Sequence, residues 1–282
     1  MDHRFAWIIL GCLSWATLAS GATPATTVTP DQASIPSPSQ RSIDMQRLEE
    51  RAGQRLALRI EQSGAVLQDP KVAAYVNRVA KRILANSNSD KQVTVKVLKY
   101  RALNAFSIPG GRIYLNVGLL KGVASEDELA AALAHEIAHA TAHDWAKQAS
   151  LVVRWRARRL AAGRGVPPGG LAGVGRERSN ASLLAAWRIR AEEDADARGL
   201  DYLYRAGYDP SAFASLVRKV SPTEEQNPQW PPISAQNQGI AAVRLATLEQ
   251  RVGSLPARKI GRRKRSKEFV KMQRRLGVIT KR

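Results

Sequence analysis

The sequence predicts an α+β domain, mainly helical with a small β-sheet. Three observations carry that prediction. Apolar residues recur at three and four positions through most of the chain, the spacing of a helix face. Only two short segments, Val93–Leu98 and Arg112–Val117, have the alternation and β-branching of strands. Strands and helices do not alternate as βαβ units. The 44 % apolar content of the 282 residues suffices for a core and excludes a disordered chain. The single Cys excludes a disulfide framework and a Cys-based zinc site. Only one apolar run approaches membrane-span length, which excludes a multi-span membrane protein.

That run opens the chain. Phe5 to Ala19 is apolar, and Ala19, Ser20, Gly21 and Ala22 suit signal-peptidase cleavage, so residues 1–22 read as a signal peptide for export. Ile9-Leu10-Gly11-Cys12 loosely resembles a lipoprotein box. The apolar run continues past Cys12, however, so Cys12 reads as an ordinary member of it, with lipidation the lesser alternative. Residues 23–42, with Pro24, Pro30, Pro36 and Pro38 among Ser, Thr and Ala, read as a linker. Residues 43–256 are then one folded domain and residues 257–282 a basic tail.

Within the domain, Asp44 to Gln62 is helix-like. Asp69-Pro70 starts a second helix, to Leu84, with Val72, Tyr75, Val76, Val79 and Ile83 on one face. The two strands follow, with Pro109-Gly110-Gly111 as a turn before the second. Ser125 to Lys147 is a helix, Ser125 its N-cap and Glu126 and Asp127 its first turn. Gly163 to Gly175 is a loop. Ala181 to Ala206 is a helix that Gly207 stops, and Asp209-Pro210 begins another. Ser221 to Asn237 is loop, and Ala241 to Val252 a short helix.

The chemistry lies in His135-Glu136-Ile137-Ala138-His139, inside the Ser125–Lys147 helix. A spacing of four puts both imidazoles on one helix face about 6 Å apart, able to share one zinc ion. Glu136 reaches the open side of the metal as general base on its water. Polar groups among Ala132, Leu133, Ile137, Ala138 and Ala140 need a compensating partner such as a metal. Zinc requires a third ligand. The acidic candidates cluster at Glu192-Glu193-Asp194-Ala195-Asp196, where Glu192 and Asp196 are one helical turn apart. One of them can bind the metal while the other orients a ligand His.

These residues resemble the BepA-type periplasmic zinc metallopeptidases, gluzincins of peptidase family M48. The similarity extends through Asn104-Ala105-Phe106, Pro109 to Leu120, Asp127 to Ala130, Asp196 with Gly199, and Arg205 to Pro210, over roughly residues 45–250. It implies a zincin-like domain with the small sheet packed on the His-Glu-x-x-His helix. It implies one Zn2+ per chain on His135, His139 and Glu192, with Glu136 as general base and Asp196 orienting a ligand. The implied function is exported zinc-dependent endoproteolysis of misfolded or unassembled envelope proteins. Substrate is expected to add as a strand to the sheet edge near Gly111–Asn116. The alternatives are a zinc-bearing assembly factor for outer-membrane proteins, or a basic membrane-surface module with secondary proteolysis.

Three departures stand out. Members of this family often carry a His five residues after the second ligand. Here His143 comes four after, followed by Asp144, and reads as a solvated or capping residue. A His that covers zinc in the BepA type precedes a stretch matched by Arg244 to Glu249. Gln236 or Gln238 stands in its place, which implies a site open at rest or gated otherwise. The helical repeats that follow the BepA-type peptidase domain have no counterpart in this sequence, so delivery through them is not expected.

The formal charge of +20 is uneven. Residues 145–191 hold ten basic residues and one acid, and residues 257–282 hold twelve and one. The remainder is neutral. In an exported protein these two segments point to an anionic membrane surface, and nucleic acid is not expected as a partner.

Overall fold

The computed structural model describes residues 38–161, 163, 178–225, 235–256 and 266–279. The expected signal peptide, with Cys12, lies outside the described residues, as do residues 23–37 of the linker and nearly all of the glycine-rich loop. In chain order the elements are α1 (Pro38–Gln62), α2 (Pro70–Leu84), β1 (Thr94–Leu98), β2 (Ala105–Ile108), β3 (Arg112–Asn116), α3 (Val117–Gly122) and α4 (Glu126–Thr141). Then come α5 (Asp144–Ala161), α6 (Arg178–Arg205), α7 (Ser211–Glu225), α8 (Ala235–Ser254) and α9 (Lys267–Ile279). The fold is therefore mainly helical α+β.

The sheet order is β1-β3-β2, with β1 parallel and β2 antiparallel to β3. Strand β2 was not expected from sequence. It has only four residues, and Ala and Ser give it little β-branching. The turn between β2 and β3 does fall at Pro109-Gly110-Gly111. Gly111 has φ of 71°, and a Cβ there would meet the Gln92 carbonyl oxygen at 2.2 Å, so only glycine fits.

Helix α2 begins as the sequence predicts. The Asp69 side chain accepts from the amides of Lys71 and Val72, and Pro70 needs no amide partner at that position. Its apolar face, from Val72 to Ile83, is buried, each large side chain contributing about 1.5–3 kcal/mol.

Helix α4 is the centre of the molecule. Ser125 caps it, accepting from the Glu128 amide at 3.1 Å. Leu129, Ala130, Ala131, Leu133, Ala134, Ile137 and Ala138 are fully buried. A helix apolar on nearly all sides must be surrounded. Helices α2, α6 and α7 and the sheet do so. Its closest partner is α6, admitted by Gly199. A Cβ there would lie 3.0 Å from the Phe213 ring and 3.1 Å from the His135 nitrogen.

The expected helix Ser125–Lys147 is two helices. Helix α4 stops at Thr141, His143 takes φ of 55°, and α5 starts at Asp144. Helix α7 runs past Ser221 to Glu225 and α8 starts at Ala235, so both ends of the expected Ser221–Asn237 loop are helical, and residues 226–234 lie outside the described residues. Residues 257–282, read as a basic tail, contain α9. Its Phe269, Met272 and Leu276 are buried with the main core, beside α2 and α3. Arg275 also donates to Asp69 at 2.7 Å, tying α9 to the start of α2.

Candidate metal centre

Helical geometry places the two imidazoles. His135 and His139 project from one face of α4, and their Nε2 atoms lie 3.1 Å apart. Glu192 comes from α6, which Gly199 lets approach. Its Oε2 is 3.3 Å from Nε2 of His135 and its Oε1 is 3.6 Å from Nε2 of His139. Ligands about 2.0–2.1 Å from a tetrahedral zinc ion are about 3.3 Å from one another. One donor atom from each of the three residues lies within 4.8 Å of the other two, close enough to share one ion, and their chemistry, two imidazoles and a carboxylate, suits zinc. Among the described residues this is the group of His and acidic side chains with that arrangement.

Behind each imidazole stands a carboxylate. Asp196 Oδ1 is 3.1 Å from Nδ1 of His135, somewhat off the ideal hydrogen-bond direction. Asp144 Oδ2 is 3.0 Å from Nδ1 of His139. Asp196 is itself gripped by Arg244, which donates through Nε at 2.8 Å and Nη2 at 2.9 Å. Arg244 Nη1 is also 3.2 Å from Glu192.

These contacts set the protonation of the metal-free site. Burial opposes charge on His135, but Asp196 and Glu192 outweigh it and raise its pKa to about 10. Burial opposes charge on Asp196 and Glu192 as well. Hydrogen bonds from His135, with the charges of Arg244 and the imidazoles, nevertheless hold both carboxyls below their ordinary range.

Glu136 lines a cavity of about 90 Å3 that His135 and Glu192 also line. His135, Glu192 and Arg244 form its polar end. Leu119, Phe213, Leu216, Val217 and Val220 form an apolar wall, and Asn104 and Ala105 another side. This corrects the expected docking edge. Segment Gly111–Asn116 is mostly β3, the central strand, whose edges are taken by β1 and β2. The edge beside Glu136 is β2, unpaired on its outer side among the described residues.

The structure thus brings together every site residue the sequence singled out: His135, Glu136, His139, Glu192 and Asp196. The sequence reading gave no role to Asp144 or Arg244. Asp144 was hidden by the continuous helix expected through Lys147, which would turn it away from His139. Arg244 was seen only as a landmark in the Arg244–Glu249 stretch, and its reach across to α6 has no local signal. His143 does not continue the imidazole row. It follows the C-cap of α4, and its Nδ1 lies 2.7 Å from Oε2 of Glu49. The side chains of Gln236 and Gln238 lie outside the described residues.

The model of peptidase family M48 matches residues 67–252, more than half of the chain. The chain is 28 % identical over 168 residues to the beta-barrel assembly-enhancing protease of Yersinia pestis, covering 56 % of this chain and 35 % of that protein. It is 26 % identical over 167 residues to the protein of that name in Escherichia coli, covering 56 % and 34 %. It is 33 % identical over 153 residues to the mitochondrial metalloendopeptidase OMA1 of Schizosaccharomyces pombe, covering 54 % and 45 %. The chain matches less than half the length of each of these curated relatives.

Proposed function

The chain belongs to peptidase family M48, and on that premise we propose that it is a zinc-dependent metalloendopeptidase of the cell envelope. The observation that carries the reading is the triangle of His135, His139 and Glu192 with Glu136 in the adjoining cavity wall. His135, His139 and Glu192 would hold the ion. When bound, zinc supplies a Lewis acid for the scissile carbonyl and lowers the pKa of its water to about 7.

The protein's own groups do the rest. Glu136 accepts the proton of the attacking water and delivers it to the leaving amine. The Asp196 carboxylate, 3.1 Å from Nδ1 of His135, favours a proton there and so leaves Nε2 as a ligand. Arg244 balances the charge of Asp196 and Glu192. The outer edge of β2 aligns an extended peptide by main-chain hydrogen bonds, a mode tolerant of sequence and suited to unfolded chains. The apolar wall from Leu119 to Val220 receives an apolar substrate side chain beside the scissile bond.

The substrates proposed are misfolded or unassembled envelope proteins. The names of the bacterial relatives join proteolysis to β-barrel assembly, and the apolar leader at residues 1–22 supports export to the periplasm. Residues 145–191 and 257–282 would dock the enzyme on an anionic membrane surface. In support, α9 has its apolar side in the core and exposes Lys267, Lys271 and Arg274. Among the described residues, no helix is long and apolar enough to cross a membrane.

Casein hydrolysis tests the activity. The Glu136→Gln protein should retain zinc and lose about 10²–10⁴-fold or more of the wild-type rate. Unchanged cleavage in that variant would remove Glu136 from the mechanism.

A further inference from the structure

Asp144 lies five residues after His139, and on a continuous helix it would sit about 140° around the axis from it. The helix is not continuous. Ala142 is the C-cap of α4, and His143 takes a left-handed conformation with φ of 55°. A residue other than glycine costs about 1–3 kcal/mol in that region, so the surroundings must hold it there.

They do so through a compact polar cluster. Nδ1 of His143 is 2.7 Å from Oε2 of Glu49, a carboxylate on α1 that is only 4 % exposed. Lys91, in the loop before β1, donates to Oε1 of Glu49 at 3.0 Å. The same ammonium donates to the Ala140 carbonyl at 2.7 Å, a group near the helix end where carbonyls lose their helical partners. It also lies 3.3 Å from Nδ1 of His143. The reversal at His143 delivers Asp144, buried at 8 % exposure, to Nδ1 of His139 at 3.0 Å.

We propose that Asp144 is a positioning residue for His139, and that Glu49, Lys91 and His143 form the lock that keeps it in place. The inference rests on the zinc reading above. Asp144 fixes the His139 tautomer and ring orientation so that Nε2 faces the triangle. Two segments outside the metal cavity, α1 and the loop before β1, thereby set how tightly the site holds its ion.

Zinc dissociation constants from chelator competition test this, with the melting temperature of each metal-free protein measured alongside. Asp144→Asn should weaken zinc binding about 10–100-fold, and Asp144→Ala at least as much. Glu49→Gln should weaken it by a smaller factor. The Glu49→Gln/Asp144→Asn double variant should bind zinc no more weakly than Asp144→Asn alone, because both changes act through one residue. Lower melting temperatures with wild-type zinc affinity in the Asp144 variants would overturn the positioning role. Additive losses in the double variant would overturn the lock. A wild-type protein that binds no zinc would instead overturn the proposed function, and this inference with it.

Discussion

His135 and His139 are one turn apart on α4, yet they are held by different kinds of structure. His135 is backed by Asp196 from α6, which is held by Arg244 from α8. That side is assembled from three helices far apart in sequence. His139 is backed by Asp144, five residues further on, with Lys147 at 3.4 Å and Arg198 at 3.9 Å around it at the rim. That side depends on one turn of backbone. The two sides should therefore respond differently to loss of a partner. On the His135 side, removing a partner strands a buried charge. On the His139 side, Asp144 is also buried, but its neighbour Lys147 is more than half exposed and can be removed at little cost.

The largest effect should follow from breaking the core side. Arg244→Ala leaves Asp196, 5 % exposed, without its bidentate partner. We expect a loss of about 3–5 kcal/mol in urea unfolding of the metal-free protein. A variant as stable as the wild type would mean that Asp196 does not depend on Arg244. Next comes Gly199→Ala, which wedges α6 from α4 at the His135 nitrogen and the Phe213 ring. It should cost about 1–3 kcal/mol and weaken metal binding through Glu192 and Asp196. An unchanged unfolding midpoint would show that the close approach carries no strain.

The core side also sets a pH dependence. The folded pKa of His135, about 10, lies above its ordinary value of 6.5, so the metal-free ring is protonated at neutral pH. A ligand imidazole must be neutral, so zinc binding releases that proton. Apparent zinc affinity should rise about tenfold per pH unit between pH 7 and 9. Calorimetry in buffers of different ionisation enthalpy reads the proton directly, and an absence of release would contradict the pairing of His135 with Asp196. The smallest effect belongs to the rim. Lys147 is more than half exposed beside Asp144, and Lys147→Ala should change stability by about 1 kcal/mol or less. A larger loss in thermal unfolding would make the rim as demanding as the core.

What the sequence made legible follows the same division. The start of α4 at Ser125, the start of α2 at Asp69 and the facing imidazoles are local patterns, and each appears where the periodicity and caps put it. Glu192 and Asp196 were legible as a spaced acidic pair, and resemblance decided between them. The break at His143 was not legible. Ala142, His143 and Asp144 carry no glycine or proline, and the turn is stabilised by Glu49 and Lys91, which are distant in sequence. Strand β2 was missed because four residues with little β-branching acquire their identity only by pairing with β3. That omission also made the central strand β3 read as an edge. The docking of α9 was masked by its charge, since its three buried apolar residues lie in a segment dominated by Lys and Arg.

Zinc binding in this site should depend on His135, His139 and Glu192 together. Metal analysis of the purified wild-type and Glu192→Ala proteins tests it most directly. The wild type should carry one zinc per chain and the variant substantially less after identical dialysis. Full zinc occupancy in Glu192→Ala would contradict the assignment of the third ligand.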